Sequence, residues 1–171
     1  MTSGSDTNGF DALDACHRQI QAHMQDLQGL MDYITEHGVD AHARQQAGAI
    51  EAFFSGTSRE HHQDEERQVF PELLASGNAD LTAAVRTLQQ DHGWIEENWI
   101  ELAPQLRAIA SGNGWLDEAE FRHYVEVFLE LLQGHIALEE TLIYPESKAR
   151  WAASVAARVT RQAAAATAIA R

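Results

Sequence analysis

Apolar positions recur at three- and four-residue intervals along most of the chain, the spacing of one buried helix face. Phe10, Leu13, Ile20, Met24, Leu27, Met31 and Ile34 form the first stripe, and Gly38 follows it as a stop signal. Asp40 can cap a second helix that carries Ile50, Phe53 and Phe54 toward Val69 and Phe70, where Pro71 kinks or restarts it before Gly77. Asp80 can cap a third, with Leu81, Val85, Leu88, Ile95, Trp99, Leu102, Leu106 and Ile109 on one face and Pro104 as a bend. Ser-Gly-Asn-Gly at 111–114 closes it. Asp117 and Glu120 have the spacing of a capping box and open a fourth helix through Phe121, Tyr124, Phe128, Leu131 and Leu138 to Pro145.

No segment alternates with period two, so strands are not needed. Four segments of roughly 30 residues, each about 45 Å long, joined by short connections predict an all-α, up-down-up-down four-helix bundle. Residues 1–147 form that bundle. Residues 148–171 are rich in alanine and predict a short fifth helix, packed on the bundle or extending from it. Packing would place Trp151, Val155 and Val159 on the covered face.

At 171 residues, with only three prolines and 44% hydrophobic residues, the chain is long and regular enough for one self-sufficient core. A single cysteine, Cys16, excludes an internal disulfide and cysteine-based zinc sites, so a metal would need histidine and carboxylate ligands. The net charge of −14 opposes binding to nucleic acid or an anionic membrane. The five basic residues from Lys148 onward stand apart from this acidity, with no acidic residue among them. No signal peptide and no run of about 18 apolar residues is present, so a cytoplasmic location is expected.

An internal repeat carries the chemistry. Residues 61–72, His-His-Gln-Asp-Glu-Glu-Arg-Gln-Val-Phe-Pro-Glu, align with residues 135–146, His-Ile-Ala-Leu-Glu-Glu-Thr-Leu-Ile-Tyr-Pro-Glu, at a constant offset of 74. His17 and His92 lie 75 apart and precede these segments. Residues at i and i+4 differ by about 40° around a helix, so His61 with Glu65, and His135 with Glu139, point the same way. His17 is in line with Leu13, Ile20 and Met24; His92 is in line with Leu88, Ile95 and Trp99. Four inward imidazoles and two inward carboxylates are costly to bury unless something pairs them, and a metal does so. Mixed imidazole and carboxylate ligation suits iron or manganese better than zinc, and carboxylates on facing helices can bridge two ions.

This arrangement resembles the hemerythrin-like, or HHE cation-binding, family over about residues 10 to 146. Its pattern is an isolated His, a His-x3-Glu followed by an aromatic residue and Pro, a second isolated His and a second His-x3-Glu. The resemblance implies an oxo- or hydroxo-bridged diiron centre in which Glu65 and Glu139 bridge two irons, with His17 and His61 on one and His92 and His135 on the other. Oxygen-carrying members have a further His four residues after the isolated His of the third helix; here that position is Glu96, and the position after His17 is Gln21. Glu96 is therefore a candidate seventh ligand, and its presence argues against simple oxygen carriage. The leading functional expectation is binding or sensing of O2, NO or peroxide in an apolar pocket walled by Leu13, Ile20, Leu88, Ile95, Leu131 and Leu138. Alternatives are peroxidase, catalase-like or NO-reducing activity, or an iron-handling role in which the basic tail reports to a protein partner. His62, about 100° from His61, is expected beside the site or at the surface, Glu66 and Glu140 around the ligands or in solvent, and His23, His37, His42 and His123 at the surface. Tyr144, half a turn from the face of His135, is expected outside the centre, and Cys16 is expected to serve as packing.

Overall fold

The computed structural model describes residues 9–113 and 115–169. The described residues form helices and turns without a strand: α1 (Gly9–His37), α2 (Ala41–Ser55), α3 (Thr57–Asp64), α4 (Phe70–Leu74), α5 (Ala79–Ala110), α6 (Glu118–Leu138) and α7 (Tyr144–Ile169). They make four rods. The first is α1, the second runs through α2, α3 and α4, the third is α5, and the fourth runs through α6 and α7. Each rod packs on its neighbours in chain order, α1 on α2, α2 on α5, α5 on α6 and α6 back on α1, which is the ring of an up-down-up-down bundle.

The connections follow from local chemistry. Gly38, Gly77 and Gly112 take positive φ (73°, 73° and 76°), the left-handed conformation that lets a chain leave a helix. Asp40 caps α2 through Ala43 N–H at 2.9 Å, and Asp117 caps α6 through Glu120 N–H at 3.0 Å. The third helix is capped by Asn78, which accepts from Asp80 and Leu81, rather than by Asp80. The helix runs on through Pro104 to Ala110.

Two short π turns, Glu65–Val69 and Glu139–Ile143, interrupt the second and fourth rods at equivalent points of the repeat. Phe70 N–H bonds to Glu65 O and Tyr144 N–H to Glu139 O, each five residues back. The prolines explain the position. Pro71 and Pro145 cannot donate a backbone hydrogen bond, and in an α-helix their rings would collide with the carbonyl four residues earlier. A widened turn immediately before each relieves both problems.

The core is split into two parts. A larger cluster holds Ile20, Phe54, Ile95, Trp99, Phe128 and Leu132 with their neighbours. A smaller one holds Leu13, Val69, Phe70, Val85, Leu88, Ile143 and Tyr144. His17 lies between Leu13 and Ile20, and His92 between Leu88 and Ile95, so a polar layer separates the two. Leu132 and Ile136 are fully buried on the fourth rod, whereas Leu131 and Leu138 are only partly so.

The C-terminal segment is α7, which extends from the fourth rod after the second π turn. No glycine follows Pro145 until the chain ends, and alanine favours continuation. Beyond Ser147 the helix stands off the bundle: Trp151 is 40% and Val159 60% exposed, while Val155 is half-buried, and the three line a cleft with Phe10, Leu13 and Val69 instead of packing tightly on them. Lys148 ties its base to Asp14 at 2.7 Å. Phe128 packs on Phe54 and Trp99, each 5.1 Å away between ring centres. Phe128→Ala is expected to lower stability to urea by about 3–5 kcal/mol, whereas Val159→Ala should change it by less than about 0.5 kcal/mol.

Candidate metal centre

The polar layer contains His17 from α1, His61 from α3, Glu65 from the first π turn, His135 from α6 and Glu139 from the second π turn, all with 4% exposure or less. His92 from α5 and His62 from α3 complete it, partly buried. Their ligand-type atoms converge in two groups. In one, His17, His61, Glu65 and Glu139 offer atoms all within 4.8 Å of one another; in the other, His62, Glu65, His92 and His135 do the same.

Both carboxylates reach both groups. Glu65 Oε1 stands 3.2 Å from His61 Nε2, and its Oε2 stands 3.4 Å from His92 Nε2. Glu139 Oε2 stands 3.0 Å from His17 Nε2, and its Oε1 stands 2.9 Å from His135 Nε2. Yet no hydrogen-bond donor is aligned on Glu65 Oε2 or on either Glu139 oxygen. Buried carboxylate oxygens normally have donors. Here the nitrogens and oxygens face common points between them, which is how donors surround a cation.

The outer nitrogens show why the inner ones are bare. His17 Nδ1 faces Glu140 at 3.2 Å, and His92 Nδ1 faces Glu66 at 2.9 Å. Each contact pairs an isolated His with the acidic residue that follows Glu139 or Glu65 on a neighbouring rod. A carboxylate that accepts a hydrogen bond from Nδ1–H fixes the tautomer and leaves Nε2 facing inward, free for a cation. His92 Nε2 and His135 Nε2 approach to 3.2 Å, close enough to share a proton or, in its place, a cation.

Glu96 is not in either group. Its carboxylate is held by Arg59, with Arg59 Nε donating at 2.9 Å, and both side chains are about 40% exposed. The helical stripe of α5 runs through Ile95 and Trp99, which turns position 96 to the rim. His62 takes part instead, stacking on His92 at 4.3 Å between ring centres. About 100° around α3 from His61, it faces His92 on α5 and His135 on α6.

Tyr144 is also inside, only 1% exposed. An α turn from Glu139 would leave it about 140° from that residue, whereas five residues of π turn leave it only about 50° away. Its hydroxyl bonds Glu65 Oε1 and lies 3.1 Å from His17 Nε2 and 3.5 Å from His61 Nε2. Cys16 is half-buried and lines a small cleft with His61. Of the other histidines, His37, His42 and His123 are exposed, while His23 is half-buried with its ring 3.9 Å from that of Phe53.

The family model of the Hemerythrin HHE cation binding domain matches residues 8–147. The chain therefore belongs to that family: it is a cation-binding helical domain, and its His and Glu cluster fits a metal site. A relative from Haemophilus influenzae, described only as an uncharacterized protein, is 30% identical over 133 residues, covering 78% of this chain and 75% of its own. No solved structure gives a significant match. No helix among the described residues is long and apolar enough to cross a membrane.

Without metal, protons take over part of the pairing. Burial works against charge on His17, but Glu139 and Glu65 outweigh it and raise its pKa to about 9. Burial is likewise outweighed at His61 by Cys16 and Glu65, to about 10, and at His135 by Asp91 and Glu139, to about 9. Glu65 is held well below the usual carboxylate range: burial would raise it, but His17, His61 and His92 prevail. The three histidines therefore stabilise the metal-depleted fold fully below pH 6.5, and this is lost as pH rises through about 9 to 10. Glu65 contributes above pH 4.5 and loses its contribution as pH falls below that. Calorimetry of chelator-treated protein should show a thermal midpoint that falls across the alkaline limb. With metal bound, the cation replaces those protons and the fall should be smaller.

Proposed function

We propose that this chain is a non-haem diiron protein that binds or senses a small molecule of the class of O2, NO or peroxide. The observation that supports it most is that Glu65 and Glu139 each direct one oxygen to the first histidine group and the other to the second. Two carboxylates shared in this way match a pair of ions, and imidazole with carboxylate suits iron. Iron, when bound, supplies redox chemistry and exchangeable positions to a small ligand.

The residues of this chain would divide that work. His17 and His61 would hold the first ion, His92, His135 and His62 the second, with Glu65 and Glu139 between them. Glu140 and Glu66 hold the protons of His17 and His92 and keep both imidazoles oriented. The apolar clusters on either side exclude bulk water and charged solutes from the layer. A cleft of about 310 Å³, lined by Arg59, His62, Gln63, Glu66, His92 and Glu96, opens on the second group and is large enough for a diatomic or peroxide ligand. Glu96 belongs to the rim of this cleft. The enzymatic reading drew on a carboxylate at the metal, and the Arg59 pairing removes that support, so binding or sensing is favoured.

Metal analysis of the purified chain should find two irons, and the reduced protein should take up NO or O2 stoichiometrically. Steady-state consumption of peroxide or NO at rates of enzymatic turnover would favour the enzymatic reading instead. Loss of a ligand leaves buried polar partners exposed to each other, so His61→Ala and His135→Ala should lower iron content and thermal stability together. Glu65→Ala and Glu139→Ala should be more damaging, since each removes a donor from both ions. His62→Ala should reduce iron content, and Glu96→Gln should leave it unchanged. The reverse order for these last two would return Glu96 to the ligand set.

A further inference from the structure

Tyr144 is a buried polar side chain of the centre that the ligand set above does not use. Its ring stacks on His17, 4.7 Å between centres and 14° from parallel, which points the hydroxyl into the first group. There the oxygen donates to Glu65 Oε1 and lies 3.1 Å from His17 Nε2 and 3.5 Å from His61 Nε2. One phenol proton serves one acceptor, so once a cation displaces the imidazole protons, the two histidine contacts are left without a hydrogen between them. Donors about 2.1 Å from one cation sit about 3.0 Å apart at adjacent octahedral positions and about 3.4 Å apart in a tetrahedron. The two spacings from Tyr144 to His17 and His61 are those of neighbours in one coordination shell, while its contact with Glu65 Oε1 is a hydrogen bond.

We infer that the Tyr144 oxygen is a fifth protein ligand of the first cation, binding ferric iron as a phenolate beside His17, His61, Glu65 and Glu139. This rests on the diiron reading proposed above. As the oxygen–iron bond forms, the O–H bond breaks and the proton leaves to solvent; no electron changes hands. The partner half of the repeat has no equivalent. At the offset of 74, Tyr144 corresponds to Phe70, which has no oxygen and lies over His92 at 5.7 Å between ring centres. His62, the extra donor of the second group, corresponds in turn to Ile136. The repeat thus holds unlike sites, one with an anionic phenolate and one with a third neutral imidazole. The phenolate side favours the ferric state, so the two irons should be reduced in separate steps.

The chain offers a clean assay because it has three tyrosines. Tyr33 donates to Asp40 at 2.6 Å, and Tyr124 lies beside His123 on α6, so neither is at the centre. The full-length protein is loaded with ferrous iron and oxidised in air. Iron per chain is measured first, then the visible absorption and the resonance Raman spectrum excited within it. Wild type should show a tyrosinate-to-ferric charge-transfer band with enhanced tyrosinate ring modes. Tyr144→Phe should keep two irons per chain and lose the band completely, while Tyr33→Phe keeps both. Wild type with two irons and no tyrosinate modes would overturn the assignment, and so would a band that survives in Tyr144→Phe. Because the wild-type spectrum decides by itself, the test does not depend on the variant folding. One iron per chain would overturn the two-ion reading while the band still decides on Tyr144; no iron at all would overturn both.

Discussion

Everything in this bundle is arranged around the burial of two carboxylates at the same depth. Glu65 and Glu139 are 0% exposed, and ionised groups in such a place are destabilising by several kcal/mol unless opposite charge meets them. Among the described residues no lysine or arginine pairs with them, whereas imidazoles and one phenol do. The compensating charge must therefore come from protons on the histidines or from bound cations. This condition explains the acids behind the rings, the apolar blocks above and below, and the helical rods that carry the donors inward.

The prolines matter as much as the ligands. In each half of the repeat a proline sits six residues after the buried Glu, and the turn before it is widened. The widening rotates the next aromatic back beneath the Glu that opens it. In the first half this brings Phe70 to His92, and in the second it brings Tyr144 to His17. One backbone device, repeated, closes the polar layer from below with an aromatic ring on either side.

Those turns also mark where the sequence stops being readable by simple helix geometry. The four rods follow from apolar stripes and from Gly38, Asp40, Gly77 and Asp117, because these are local signals. The His-x3-Glu pairs are legible for the same reason: four residues of α-helix bring two side chains to one face. Tyr144 was hidden because nine residues of unbroken α-helix after His135 would turn it half a turn from that face; the shared proline was the available clue. His62 was hidden because a helix angle of about 100° from His61 does not show which neighbouring rod a side chain meets. Glu96 was misplaced because its role came from an alignment of positions, whereas its partner, Arg59, lies 37 residues away on another rod. The open face of Trp151 and Val159 has a related cause, since amphipathic spacing indicates a face that can be covered without showing what covers it.

The fourth rod joins the centre to the solvent without a joint. It carries His135 and Glu139, passes Tyr144 at the edge of the polar layer and continues as one helix to Ile169. The 26 residues of α7 span about 39 Å. A tilt of about 10° at Tyr144 would sweep the far end through about 7 Å by rigid rotation. The protruding segment has the geometry of a lever with its short end in the polar layer, so any rotation at that layer would be enlarged along α7 in proportion to its length.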